Sequence, residues 1–200
     1  MSTFTELRKY GQTLFNEIVA EKEKQDKAIE EMKEIYAPAY ILTKQQEFNA
    51  ALYEFSQNHA NRFKEAADSI FREKREYVEK MLATAPTTEQ TNLLTALQLR
   101  GADIDNDELR RIAPQLMSNY QAVKALQSIA QTHDMRVPLP PRCDYQVLSD
   151  GLNWAEKYVA DRIHDMRNYT GMRNMHPWSR YFFGDYNDHL YIEHTVELFD

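Results

Sequence analysis

The sequence predicts a mainly α-helical protein: a long antiparallel, coiled-coil-like hairpin, a small helical unit, and an aromatic C-terminal arm carrying one strand or hairpin. Three observations predict it. Glycine is scarce, five in 200 residues, and none falls between Gly11 and Gly101, whereas a strand-rich sandwich needs turns far more often. Apolar residues recur at intervals of three and four over two long stretches. Ser, Thr or Asp followed three residues later by Gln or Glu opens one short segment after another.

The first stripe is Leu7, Leu14, Ile18, Met32 and Ile35, with Gly11, Glu21, Gln25 and Ala28 in its gaps. It predicts a helix over 5–36. Pro38 has no amide donor and disfavours helical backbone at Ala37, so Tyr36-Ala37-Pro38-Ala39-Tyr40 breaks the run. Thr43 with Gln46 then reads as a capping box opening a second helix. Its stripe is Phe48, Leu52, Phe55, His59, Ala66, Ile70, Tyr77 and Met81, ending near Ala83 before Pro86. Helices of about 30 and about 40 residues would be roughly 45 and 60 Å long at 1.5 Å per residue. The short break between them favours an antiparallel hairpin over 1–84. His59 fits a polar residue that fixes register in the seam. Stripes this narrow also predict self-association, with Ile70 in the apolar seam, and a homo-oligomer as the working state.

Residues 85–134 read as a three-helix unit. Thr87 with Gln90 opens a helix bearing Leu93, Leu94 and Leu97, with Gly101 as its C-cap. Asp105 with Glu108 opens the next, bearing Leu109, Ile112 and Leu116, and Pro114 marks a bend or break. Ser118 with Gln121 opens the third, bearing Val123, Leu126 and Ile129. The Pro-rich stretch 135–142 is an extended linker. A further helix, within 143–170, carries Leu148, Leu152, Ala155, Val159, Ile163 and Met166, and Gly151 moves its expected N-cap to Ser149 or Asp150.

Residues 172–200 change character. They hold seven of the 23 aromatic residues, and Leu190, Ile192, His194, Val196 and Leu198 alternate as in a strand. A lone strand needs a partner edge. The segment is therefore expected to dock on a neighbour through Trp178, Tyr181, Phe182, Phe183, Tyr186, Tyr191, Ile192, Val196 and Leu198. The competing expectation is that it folds back on its own helices.

Chemistry is sparsely encoded. A formal net charge of −7 gives no global field for a polyanion. The basic stretch 62–80 interleaves its Lys and Arg with Glu65, Asp68, Glu73, Glu76 and Glu79, as a solvated helix face does. Nucleic acid is thus disfavoured as a partner, although Arg162, Arg167, Arg173 and Arg180 would form a patch if the fold gathered them. Cys143 is the only cysteine, so no intrachain disulfide or Cys-based zinc site is expected. His176, Asp185, Asp188, His189, Glu193 and His194 are metal-ligand types, but His189-Leu190-Tyr191-Ile192-Glu193-His194 is one residue too long for the His-x-x-Glu-His zinc motif. The run 103–108 starts like a calcium loop yet has no glycine at its sixth position and Pro114 at its twelfth. Helix capping accounts for its acids. With no phosphate-binding glycine loop and no nucleophile elbow, the expectation is a protein without catalysis, cofactor or metal. No apolar run approaches a membrane span, and the charged N-terminal residues are unlike a signal peptide, which points to the cytoplasm.

The charged hairpin, followed by Asp107-Glu108-Leu109-Arg110-Arg111-Ile112-Ala113 and Asn119-Tyr120-Gln121-Ala122-Val123-Lys124-Ala125-Leu126, resembles uncharacterised helical proteins encoded by phages and prophages of Gram-positive bacteria. The resemblance covers residues 1–133. It implies a virion-assembly or scaffold-like role beside other structural proteins, in the host cytoplasm or the virion, and it carries over no functional residues. The competing function is a regulatory module that binds a protein or a nucleic acid.

Overall fold

The computed structural model describes residues 3–132, 137, 141–169 and 198–200. Six α-helices occur among them: α1 (Phe4–Lys33), α2 (Pro38–Ala83), α3 (Thr88–Arg100), α4 (Asn106–Leu116), α5 (Tyr120–Gln131) and α6 (Tyr145–Arg167). The protein is mainly α, as the glycine scarcity and the stripes require. It divides into two compact units, Met1–Arg72 with Asn153–Asp200, and Glu73–Leu152. Both boundaries fall inside helices, α2 and α6. The expected division at 84 and 134 is not where these units part, but the expected three-helix segment lies whole within the second.

In the first unit α1 and α2 form the antiparallel hairpin. Phe4 packs on Phe71 with ring centroids 5.4 Å apart, Glu17 meets His59, and Lys22 to Ile29 share a cavity wall with Gln45 to Asn49. Position numbers rise on one helix as they fall on the other. The turn is tighter than the broken run suggested. α1 ends at Lys33, where the amides of Ile35 and Tyr36 both fold back onto the Met32 carbonyl at 3.1 and 2.9 Å. Pro38 is the first residue of α2 rather than a breaker ahead of it, because the first turn of a helix needs no amide from that position and proline presets its φ. Thr43 is therefore inside the helix, and its hydroxyl donates to the Ala39 carbonyl. No capping box forms there.

The buried line also differs from the expected one. Ser56, Ala60, Phe63 and Ala67 are buried, while Phe55 and Ala66 are half-buried. Ile35 and Tyr77 are exposed, and Val78 takes the place of Tyr77, since a helix of 3.6 residues per turn drifts away from a strict seven-residue repeat. Adjacent pairs are buried together: Leu14 with Phe15, His59 with Ala60, Ile70 with Phe71. Neighbouring residues point about 100° apart on a helix, so the hairpin is covered on more than one side. Residues 153–167 of α6 and the chain just beyond provide cover. Arg167 donates to Asn61 at 2.8 Å, its carbonyl accepts from Gln57 at 3.2 Å, and Tyr169 stacks edge-on against Phe15. Leu7, Leu14, Ile18, Leu52, His59 and Ile70 of the expected stripes are buried within one chain.

The start of α1 is closed by the distant end of the sequence. Asp200 accepts from the amides of Phe4 and Thr5 at 3.0 and 2.9 Å, and Thr3 accepts from Glu6. Three of the four amides that a helix start leaves without an intrahelical acceptor are thus bonded. Phe199 packs against Phe4, and Leu198 is buried. Leu198 and Phe199, the last residues of the expected strand, are helical. The rest of that strand, 189–197, lies outside the described residues.

The second unit is built on caps. Thr87 and Gln90 form both halves of a capping box, Asp105 accepts from the Glu108 amide at 2.7 Å, and α3 ends on Gly101 at φ 48°, which favours glycine. Asn119, not Ser118, caps α5 by accepting from the Ala122 amide; Ser118 instead accepts from Gln90. Asp144 accepts from Gln146 and Val147 at the start of α6, so that helix begins before Ser149, and Gly151 lies inside it. Leu94, Leu97, Leu109, Leu116, Leu126 and Ile129 form the core of this unit.

Candidate interaction surface

Apolar side chains in a turn are usually few, because turns run over the surface. The hairpin turn is an exception. Ile35, Tyr36, Tyr40 and Leu42 are 74%, 49%, 44% and 58% exposed, four of the eight large apolar side chains exposed among the described residues. Ala37, Pro38 and Ala39 between them are exposed too. The Tyr36 and Tyr40 rings lie 4.8 Å apart, and Lys44 sits over Tyr40 at 5.8 Å from the ring centroid.

This tip is held in shape by its own backbone. Besides the two bonds onto Met32, the amides of Tyr40 and Ile41 bond the Ala37 carbonyl at 3.0 and 3.2 Å. Ile41 is buried and ties the start of α2 to the hairpin. A contact surface that is already ordered loses little conformational entropy on binding.

Charges ring the tip. Lys33 pairs with Glu30 and Lys44 with Glu47, each at 2.6 Å, and Lys27 approaches Glu31 at 3.9 Å. The hydrogen bond and charge of Glu47 hold Lys44 protonated to higher pH than usual. Glu34, the C-cap of α1, is exposed.

Further down the hairpin the polar residues turn inward. His59 is buried on the seam. Its Nδ1 lies 2.9 Å from the Phe55 carbonyl and its Nε2 2.8 Å from Glu17 Oε2. Both ring nitrogens are thus engaged with oxygen atoms. Ser56, one turn away, brings serine, histidine and glutamate onto one seam. As arranged they form no nucleophile–base pair: Ser56 is fully buried, and both imidazole nitrogens are committed elsewhere. Between α1 and α2 a cavity of about 280 Å³ is lined by Lys22, Gln25, Asp26, Gln45, Phe48 and Asn49 among others. Gln25 Oε1 is buried there without a hydrogen-bond partner among the described residues. In the second unit a groove along α3 is lined by Glu89, Gln90, Asn92, Leu93 and Ala96 and reaches Gln115 and Ser118.

Of the residues expected to make contacts, Ile70 is 1% exposed and lies in the seam. Leu198 is buried at the start of α1. Trp178, Tyr181, Phe182, Phe183, Tyr186, Tyr191, Ile192 and Val196 lie outside the described residues, as do His176, Asp185, Asp188, His189, Glu193 and His194. Among the described residues no three His, Cys, Asp or Glu side chains gather as a metal site would require. No described helix is long and apolar enough to cross a membrane. Arg162 pairs with Asp165 at 3.1 Å and lies over Tyr158, and Arg167 is held by Asn61; these two arginines of the expected basic series are engaged within the fold. The tip itself was missed by sequence reasoning, although Ile, Tyr and Leu flanking a proline in a turn was a signal for it.

No protein-family model, curated protein or solved structure matches the chain.

Proposed function

We propose that the chain is a non-enzymatic assembly protein that acts through protein contacts, with the hairpin tip as a contact surface. The observation that supports it is the exposure of Ile35, Tyr36, Tyr40 and Leu42 around one turn, with the Tyr36 and Tyr40 rings 4.8 Å apart. Exposed clusters of this kind mark interaction sites far more often than scattered apolar residues do, and tyrosine is enriched where binding energy concentrates. The virion-associated form of this reading rests on the resemblance of residues 1–133 to phage proteins, and it places the protein among other structural proteins in the host cytoplasm or the particle. A regulatory protein-binding module uses the same surface. The nucleic-acid form of that alternative is weakened by the internal engagement of Arg162 and Arg167.

The test is a photo-crosslinking amino acid placed at Tyr36 in the full chain, expressed in its native cell, with the same group at exposed Glu65 as control. A protein adduct at position 36 that is absent at 65 is expected. Equal labelling at both positions, or none at 36, would remove the tip from the function.

A further inference from the structure

We infer that the partner of the tip is a different protein that offers an apolar pocket with a basic rim. This rests on the reading of the tip as a contact surface and adds the chemistry of what it contacts. The apolar part follows from Ile35, Tyr36, Tyr40 and Leu42, which leave water only if the partner presents a concave apolar surface to them. The basic part follows from the collar. Over 27–47 the sequence has four acids, Glu30, Glu31, Glu34 and Glu47, against three lysines, Lys27, Lys33 and Lys44, which leaves one negative charge. The three lysines pair with Glu31, Glu30 and Glu47, so the cations have little to offer a partner carboxylate and the excess charge is that of Glu34. Glu34 is exposed at the point where α1 gives way to the turn.

This charge arrangement argues against the other two occupants. A second copy meeting the tip head-on would bring the exposed Glu34 of each copy together, and like charges facing across an interface oppose association. An anionic lipid surface would be repelled for the same reason. A basic rim around an apolar pocket instead complements the collar, speeds encounter and fixes orientation.

The experiment starts from the adduct formed at position 36. The crosslinked species is identified by mass spectrometry, purified, and titrated against the full chain. Tyr36→Ser/Tyr40→Ser is expected to weaken binding about tenfold or more, as loss of central aromatic anchors does. Glu34→Lys is expected to weaken it about threefold to tenfold, and raising salt from about 0.05 to 0.5 M to weaken the wild type in the same direction. Exchanging a rim Lys or Arg of the partner for Glu should restore binding to Glu34→Lys. Circular dichroism of each variant checks that it is folded. An adduct to a second copy of this chain or to lipid would overturn the inference, as would a protein partner whose binding is unchanged or strengthened by Glu34→Lys and insensitive to salt. These outcomes leave the tip a contact surface. Absence of any adduct at position 36 removes both the inference and the reading beneath it.

Discussion

Within one hairpin, Phe63 is fully buried while Ile35, Tyr36, Tyr40 and Leu42 stand in solvent. The seam and the tip draw on the same kinds of side chain and differ in what surrounds them. In the seam, Ser56, Ala60 and Ala67 keep the buried line narrow enough for close helix approach, and α6 adds cover around Asn61 and Phe15. At the tip α1 has ended, α2 has just begun, and the backbone bonds itself. Apolar character is therefore a stability device in one place and an open valence in the other. Substitutions should separate the two.

The largest effect is expected in the seam. Ile70→Asp places a carboxylate among Phe71, Ala67 and their neighbours without a partner, and should cost more than about 4 kcal/mol. Chemical denaturation measures it, and an unchanged midpoint would show that the seam is misassigned. Next comes the closure of α1. Asp200→Ala removes two charge-assisted bonds to the amides of Phe4 and Thr5 and should cost about 1–2 kcal/mol. Asp200→Asn, which keeps one acceptor, should recover part of that loss.

Gln25 tests the boundary between the two regions, since it is buried like the seam but polar. Its Oε1 has no partner among the described residues, while its Nε2 donates to Glu21 at 3.1 Å, so an apolar side chain of similar volume removes one buried unsatisfied atom at the cost of one hydrogen bond at the edge of the seam. Gln25→Leu should therefore leave stability unchanged or raise it by up to about 1 kcal/mol. A clear loss would mean that the bond to Glu21 outweighs the unsatisfied Oε1, or that the cavity holds something that satisfies it.

A smaller effect appears only in alkali. Burial, followed by the charges of Glu23 and Asp26, raises the Tyr169 hydroxyl above its ordinary value of 10.0. A group whose pKa is raised on folding contributes stability below its unfolded value and loses it as pH rises through the folded one. Stability should thus fall above about pH 10, and Tyr169→Phe should flatten that part of the profile. A wild-type and a variant curve that coincide between pH 9 and 11 would contradict the placement of Tyr169 against Phe15.

Most of the architecture was legible in the sequence, for reasons that mark where legibility ends. Thr87, Asp105 and Gly101 announced their caps because capping is local chemistry, decided within four residues. Leu148, Leu152, Ala155, Val159, Ile163 and Met166 announced α6 because large apolar side chains keep helical phase, and all six are buried. Phe63 was missed because its companions on the buried line are Ser56, Ala60 and Ala67, whose small side chains give almost no hydrophobic signal. Thr43 and Ser118 looked like caps because the local pattern cannot say whether proline or asparagine nearby does the work first. The closure of α1 by Asp200 depends on residues nearly the whole chain apart, and no local pattern carries that. The tip was hidden for a different reason: periodicity assigns apolar residues to cores, and Ile35 fits the period while lying past the helix end.

The separation of seam from tip is tested most directly by the melting temperature of a single variant, Ile35→Ser/Tyr36→Ser/Tyr40→Ser/Leu42→Ser. For a chain of this size each kcal/mol moves the midpoint by about 2–4 °C. Four side chains that serve a partner rather than the fold should together move it by less than about 4 °C, with the helical circular dichroism preserved. A fall of 10 °C or more would show that the tip belongs to the core, and the account would be contradicted at its centre.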